Sequence, residues 1–276
     1  MAHFSMPAEE PVRSRANPLF KRLRALKERG PEGALCLLEG PKLVLEALGA
    51  GLTVVEAGYS SRAQTTPAGA AALEALGARK VPLHWMSGEL LASLSEVETS
   101  QGLVALLRRP AFDEAELYRA TPLLVVADGI QNPGNVGGLL RTAEAAGATG
   151  AYLTGSSADP LSWKALRGSM GSAFRLPNLR GLSIEKALDT LEARGVLVLA
   201  TAVDGERRYD ETDLRGPVAV VVGSEAAGLP ASVRERSSAR LRIPLAGPVE
   251  SHNVGVAAAL VLFEAARQRR FGGAER

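Results

Sequence analysis

From Leu19 the chain repeats apolar residues at helical spacing. Leu19, Phe20, Leu23 and Leu26 fall on one face, Asn17 and Pro18 form an N-cap and first-turn pair, and Gly30 is placed to stop the helix. Ahead of it, residues 1–13 carry Pro7, Glu9, Glu10 and Pro11 without periodicity and are expected to form a mobile leader. Beyond it, short apolar runs alternate with helical patterns. ALCLLEG, TVVEAG, VPLHWM and QGLVALL are predicted as strands, and KLVLEALGAG, PAGAAALEALGA and GELLASLSEVE as the helices between them. This alternation predicts a small α/β domain over 14–108. Residues 109–121 mix charge with proline and weak periodicity, which suits a linker.

From Pro122 the alternation restarts more regularly. LLVVAD, AYLTG, VLVLATAV, VAVVVG and LRIPL are predicted strands, separated by helices near 136–146, 161–172, 184–194 and 253–269. The strands are nearly all apolar and rich in valine and leucine, as expected where helices cover both faces of a parallel sheet. Residues 122–276 are therefore expected to form a second α/β domain, and no fixed period of repeats points to a solenoid.

Length and composition agree with two modest globular domains: 276 residues, 46% hydrophobic and 22% charged. That balance excludes a disordered, collagen-like or disulfide-scaffold protein. Cys36 is the single cysteine, so no disulfide forms within the chain, a multi-cysteine zinc site is excluded, no metal is expected, and a reducing cytoplasmic compartment is the expectation. No apolar run reaches the roughly 18 residues of a membrane span, and the first residues lack the apolar core of a signal peptide. Net charge is only +2, but its distribution is uneven. Between residues 13 and 29 seven cations face the single acid Glu28, a local charge of +6. Arg22, Arg24, Lys27 and Arg29 would lie on the polar face of the first helix, where they are candidates for contacting RNA phosphates; a solvated helix surface is the alternative.

Ligands of open α/β sheets bind beyond the carboxyl ends of the strands, so the loops there are the candidates for chemistry. Three stand out: DGIQNPGNVGG from Asp128, VVVGSEAAGLP from Val220, and IPLAGPVESHNVG from Ile243. Taken singly, each has a structural explanation: Gly134, Gly137 and Gly138 as a tight turn, Glu225 as a loop acid, Ser251 as an N-cap, Arg141 as a solvated cation. A dinucleotide fingerprint is not matched, because the glycine spacing is wrong, although Asp159 lies about where a ribose-binding acid would be sought. No GK[ST] closes a phosphate loop and no G-x-S-x-G marks a hydrolase; the histidines are His3, His84 and His252.

Together the three loops resemble the motifs of the SpoU (TrmH) family of RNA ribose 2'-O-methyltransferases in the SPOUT superfamily. The likeness rests on N-x-x-x-x-x-R-T-A from Asn135, GSE-x-x-G-L from Gly223, and IP-x-x-G-x-x-ES-x-NV from Ile243. The front part, RSRANPLFKRLRALKERG and LLEGPKLVLEAL, is similar to the substrate-binding domain of members that modify ribosomal RNA. The resemblance implies an α/β fold whose C-terminal parallel sheet carries a deep trefoil knot, preceded by a small α/β RNA-binding domain. It implies S-adenosyl-L-methionine as cofactor, held mainly by backbone groups at Gly223, Ile243 and His252 with Leu245 as an apolar wall. Catalytic roles carry over to Asn135, Arg141, Glu225, Ser251 and Asn253, and a homodimer is implied. The family usually has leucine at the place of His252 and serine at the place of Gly255. A guanidinium holds its proton, so Arg141 suits a phosphate clamp and a stabiliser of developing charge better than a base. Ribosomal RNA is expected as substrate; transfer RNA, a dinucleotide-dependent oxidoreductase and a non-catalytic RNA-binding assembly factor are the alternatives.

Overall fold

The structure, a computed structural model, describes residues 10–30, 33–95, 100–224 and 228–269. It divides into two compact units, one of residues 1–110 with 161–174, the other of 111–160 with 175–276.

The first unit opens with helix α1 (Pro18–Arg29). Asn17 Oδ1 accepts from the amides of Leu19 at 2.9 Å and Phe20 at 3.3 Å, Pro18 needs no amide partner, and Gly30 leaves the helix at φ +85°. Its apolar stripe is the predicted one, and Leu19, Phe20, Leu23 and Leu26 are all buried. Four strands follow among the described residues: β1 (Leu35–Glu39), β2 (Val54–Tyr59), β3 (Leu83–Trp85) and β4 (Leu103–Arg108). Their order is β1-β4-β2-β3, with β4 antiparallel to β1 and β2, and β3 parallel to β2. Helices α2 (Pro41–Gly49), α3 (Ser61–Thr65), α4 (Pro67–Ala78) and α5 (Gly88–Ala92) connect them. The expected leader needs correction. Residues 1–9 lie outside the described residues, and Val12 is fixed: its amide donates to Trp85 O and its carbonyl accepts from Ser87 N, both at 2.9 Å.

The second unit begins before the first strand of its sheet. In the stretch expected as linker, a 3-10 turn over Glu114–Tyr118 is closed by a reciprocal capping box of Asp113 and Glu116. Leu117 is fully buried in the core of the second unit, and Tyr118 shares a 2.8 Å hydrogen bond with the buried Tyr152 hydroxyl. β5 (Leu123–Asp128), α6 (Pro133–Ala145) and β6 (Gly150–Thr154) come next. α7 (Trp163–Ser169) then packs with the first unit, followed by the short α8 (Ser172–Arg175). The return supplies β7 (Asn178–Leu182), α9 (Ile184–Ala193), β8 (Leu197–Thr201), β9 (Arg207–Arg208), β10 (Val218–Gly223), α10 (Ala231–Arg236), β11 (Ala239–Arg242) and α11 (Val254–Gln268).

The resulting seven-stranded sheet, ordered β7-β6-β5-β10-β8-β11-β9, is parallel throughout the described residues. All of β5 and nearly all of β10 are buried, which explains their unbroken apolar runs. Leu124 and Val126 belong to the core formed with α9 and Val233, while the alternate positions Leu123 and Val125 point to the opposite face, where α6 and α11 pack together. Arg269 ties the end of α11 back to the sheet: it donates to Leu214 O at 2.9 Å, Pro122 O at 3.0 Å and Thr121 O at 3.1 Å, and to Gly216 O.

Candidate functional site

The ends of β8, β10 and β11 converge on one cavity of about 520 Å³ in the second unit, within the range of roughly 300–1,000 Å³ usual for cofactor sites. Gly223, Ile243, Leu245 and His252 all line it, together with Ser251 and the Thr201–Asp204 stretch after β8.

Backbone closeness shapes this cavity. A Cβ on Gly223 would lie 2.5 Å from Gly228 O, so only glycine lets Gly228 approach the end of β10 this closely. Gly228 completes the turn at φ +66° and donates to Ser224 O at 2.8 Å. On the other side a Cβ on Gly205 would lie 2.6 Å from Arg242 N, so the segment after β8 passes directly against β11. Apolar side chains of Leu229, Leu241, Ile243, Leu245 and Val254 make much of the wall.

Its electrostatics are mostly settled internally. Arg234 Nη2 holds both oxygens of Asp204, at 2.7 and 2.6 Å, and that hydrogen bonding is the main cause keeping the Asp204 carboxyl below its ordinary range. His252 is different: its Nε2 is buried and meets no hydrogen-bond partner among the described residues. An apolar slot edged by strand-end backbone groups, with one orphaned nitrogen beside it, fits a nucleoside-bearing cofactor held largely through backbone. Gly223, Ile243, Leu245 and His252 would hold it.

The catalytic candidates are distributed differently. Ser251 lines the cavity, whereas the half-buried Asn135 and the exposed Arg141 lie on α6 outside its wall and make no hydrogen bond or ion pair through their side chains among the described residues. Helix α6 starts earlier than the sequence suggests: Asn132 is its N-cap, accepting from Gly134 N at 2.8 Å and Asn135 N at 3.4 Å. Asn253 caps α11 by accepting from Gly255 N at 2.9 Å, so the capping role considered for Ser251 belongs to Asn253. Glu225 lies outside the described residues. Sequence reasoning missed the Asp204–Arg234 pair, whose members are 30 positions apart in chain order with no shared local pattern.

On α1 the four cations are not equivalent. Arg22 is paired with Glu56, a carboxylate only 8% exposed that also has His84 Nε2 at 3.3 Å. Arg24 binds Glu28 at 2.6 Å and Lys27 Nζ lies 5.8 Å from the centre of the Trp163 ring. Arg29 has no such partner among the described residues. No described group of three His, Cys, Asp or Glu is placed to hold a metal ion, and no described helix is long and apolar enough to cross a membrane.

Comparison with known proteins bears on both units. The SpoU rRNA methylase family model matches residues 122–263, and the MRM3-like substrate binding domain matches residues 17–105. A Synechocystis protein described as an uncharacterized tRNA/rRNA methyltransferase is 36% identical over 265 residues, covering 94% of each chain. The 23S rRNA (guanosine(2553)-2'-O)-methyltransferase RlmP of Bacillus subtilis is 33% identical over 244 residues, 88% of this chain and 93% of RlmP. Among solved structures, the SpoU methyltransferase AviRb of Streptomyces viridochromogenes in complex with AdoMet superposes with a TM-score of 0.81 at 29% identity, over 92% of this chain and 98% of AviRb.

Proposed function

The chain belongs to the SpoU rRNA methylase family, and from that premise we propose that it transfers a methyl group from S-adenosylmethionine to a ribose 2'-hydroxyl of ribosomal RNA in the cytoplasm. The observation that carries the reading is the single cavity joining Gly223, Ile243, Leu245 and His252, the positions that the family resemblance assigns to the cofactor, with Ser251 of the catalytic set in its wall. The 2'-O outcome and the ribosomal substrate are supported by the activity named for RlmP.

Held by Gly223, Ile243, Leu245 and His252, S-adenosylmethionine would supply a methyl carried on a sulfonium, leaving neutral S-adenosylhomocysteine and a hydroxyl proton that passes to solvent. What the protein must do is align hydroxyl and methyl in line and stabilise the oxygen as it loses its proton. Arg141 clamps the nucleotide phosphate and steadies that charge. Asn135, Ser251 and Asn253 orient the hydroxyl and the guanidinium, and Glu225 holds their network. The trefoil threading of the last segment belongs to this reading as a family property.

Two copies of the chain would assemble one site. Asn135 and Arg141 do not line their own cavity, and α11 exposes Val256 at 48% and Phe263 at 40%, an apolar edge suited to a partner copy. Light scattering at micromolar concentration is expected to give the mass of a dimer, and a monomer would contradict this part. Thermal unfolding tests cofactor choice: S-adenosylmethionine and S-adenosylhomocysteine are expected to raise Tm by mass action while nicotinamide dinucleotides do not. Protection by the dinucleotide alone would overturn the proposal in favour of an oxidoreductase.

A further inference from the structure

A second cavity, of about 660 Å³, lies wholly within the first unit. One wall is the start of α2, where Gly40 precedes the helix at φ +89° and offers no side-chain cap. The other wall is α7, which the chain delivers here from the middle of its C-terminal half. Three cations rim the cavity: Lys42 from α2, and Lys164 and Arg167 from α7. Neither Lys42 nor Arg167 has an ion-pair partner among the described residues.

Below them the site is built rather than incidental. Trp163 is only 6% exposed and donates from Nε1 to Glu39 Oε2 at 2.6 Å; Ser95 Oγ donates to the other oxygen of Glu39. Both Glu39 oxygens therefore have donors, which offsets the presence of an acid beside the cations. The guanidinium of the exposed Arg167 lies 4.9 Å from the Trp163 ring centre, a cation–π arrangement that holds it at the rim. Gln101 adds an amide that can both donate and accept, and Glu46 adds a carboxylate.

We infer that this cleft is a nucleotide subsite for the RNA substrate, an inference that rests on the methyltransferase reading above. One phosphate of the strand sits against Lys42, Lys164 and Arg167, and the neutral base with its exocyclic donors meets Gln101 and Glu46. A single phosphodiester beside a neutral base suits this mixed rim, whereas a free polyphosphate would bring several negative charges against Glu46. The site differs from the α1 face in being concave and in having its arginine held in place.

The test uses the full-length protein and an in vitro transcribed 23S ribosomal RNA. The double variant Lys42→Ala, Arg167→Ala is expected to bind the transcript about tenfold more weakly at 0.1 M salt. Its log–log salt slope should fall by up to about 0.7, the value for the one single-strand phosphate that the cleft neutralises. Calorimetric affinity for S-adenosylhomocysteine should not change, and an unchanged urea unfolding curve shows that the first unit of the variant is folded; Lys42→Gln, Arg167→Gln repeats the measurement with the side-chain stems kept. In a Trp85→Phe background, where Trp163 is the remaining tryptophan, the transcript is expected to change the emission of Trp163. Wild-type affinity and slope in both double variants would overturn the cleft alone. Failure of the wild-type protein to bind or methylate the transcript would instead overturn the functional reading on which the cleft rests.

Discussion

Arginine plays opposite parts in the two units. In the second, it is largely neutralised within the fold: Arg175 holds Glu144, Arg180 holds Asp159, Arg194 holds Glu114, Arg234 holds Asp204, and Arg236 bridges Asp189 and Glu192 of α9. Against that pattern Arg141, Arg207 and Arg242 stand out, because among the described residues their side chains make neither an ion pair nor, as Arg269 does, hydrogen bonds to backbone carbonyls. In the first unit the proportions reverse. Arg13, Arg15, Lys21, Arg29, Lys42 and Arg167 lack ion-pair partners among the described residues, while Arg22 is the cation committed to a buried acid. A net charge of +2 thus conceals one unit most of whose arginines are tied down and another in which Arg13, Arg15, Arg29 and Arg167 remain available to phosphate. An arginine left unpaired where its neighbours are paired is a candidate for a ligand, and Arg141 is the one that also matches a catalytic motif.

The sharpest way to break this comparison is to exchange the two kinds of arginine. Arg141→Ala is expected to lower methyl transfer by at least about 10²-fold, with S-adenosylhomocysteine affinity and Tm unchanged. Arg236→Ala should do the reverse, lowering Tm without altering turnover. Kinetics and melting curves on the two variants decide it, and equal activity for both would remove the distinction.

Next in size is Arg22, which the structure separates from its neighbours on α1. Arg22→Ala leaves the buried Glu56 without its guanidinium and should destabilise the protein by about 1–3 kcal/mol in urea titrations. Arg29→Ala should leave stability alone. A stable Arg22→Ala protein would return Arg22 to the RNA-contacting set.

The His252→Leu variant asks how the cofactor is held. If the contact is a backbone amide, calorimetric affinity should stay within about twofold, and removing the orphaned Nε2 should raise the Tm of the cofactor-free protein. Loss of binding would show that the imidazole itself is used.

The smallest effect concerns acid. Asp204 and Glu192 are held below their ordinary values chiefly by hydrogen bonds from Arg234 and Arg236, and Asp213 by Arg215 down to about 2. Lowered folded values mean that this stabilisation is complete above the ordinary carboxylate range near pH 4 and is lost as pH falls through the folded values. Circular dichroism melts between pH 5 and pH 2 should show Tm declining over that interval; a flat Tm would sink the assignment.

Much of this architecture was legible along the chain because its signals are local. Asn17, Pro18 and Gly30 mark α1 at both ends, and the buried runs of β5 and β10 declare a doubly covered parallel sheet. What escaped was local weakness joined to distant partnership. β7, with the sequence NLRGL, is an edge strand carrying an arginine and a glycine and no burial pattern to find. The turn after Asp113 reads as linker until Leu117 is seen in the core. The packing of Trp163 against Glu39, 124 positions away, follows from no periodicity. Among site residues, the cofactor set came from the likeness of the loops to family motifs, and the fold brings Gly223, Ile243, Leu245 and His252 to one cavity. The Asp204–Arg234 pair and the capping by Asn132 and Asn253 needed coordinates.

The central claim, methyl transfer to ribose in RNA, is tested most directly by mass spectrometry of nucleosides. Purified protein would be incubated with S-adenosylmethionine and the 23S ribosomal transcript, the RNA digested, and the methylated nucleosides identified. The account predicts a 2'-O-methylated nucleoside that appears with the wild-type protein and is absent with Arg141→Ala. A methyl group on a base, or no transfer by the wild-type protein, would contradict it.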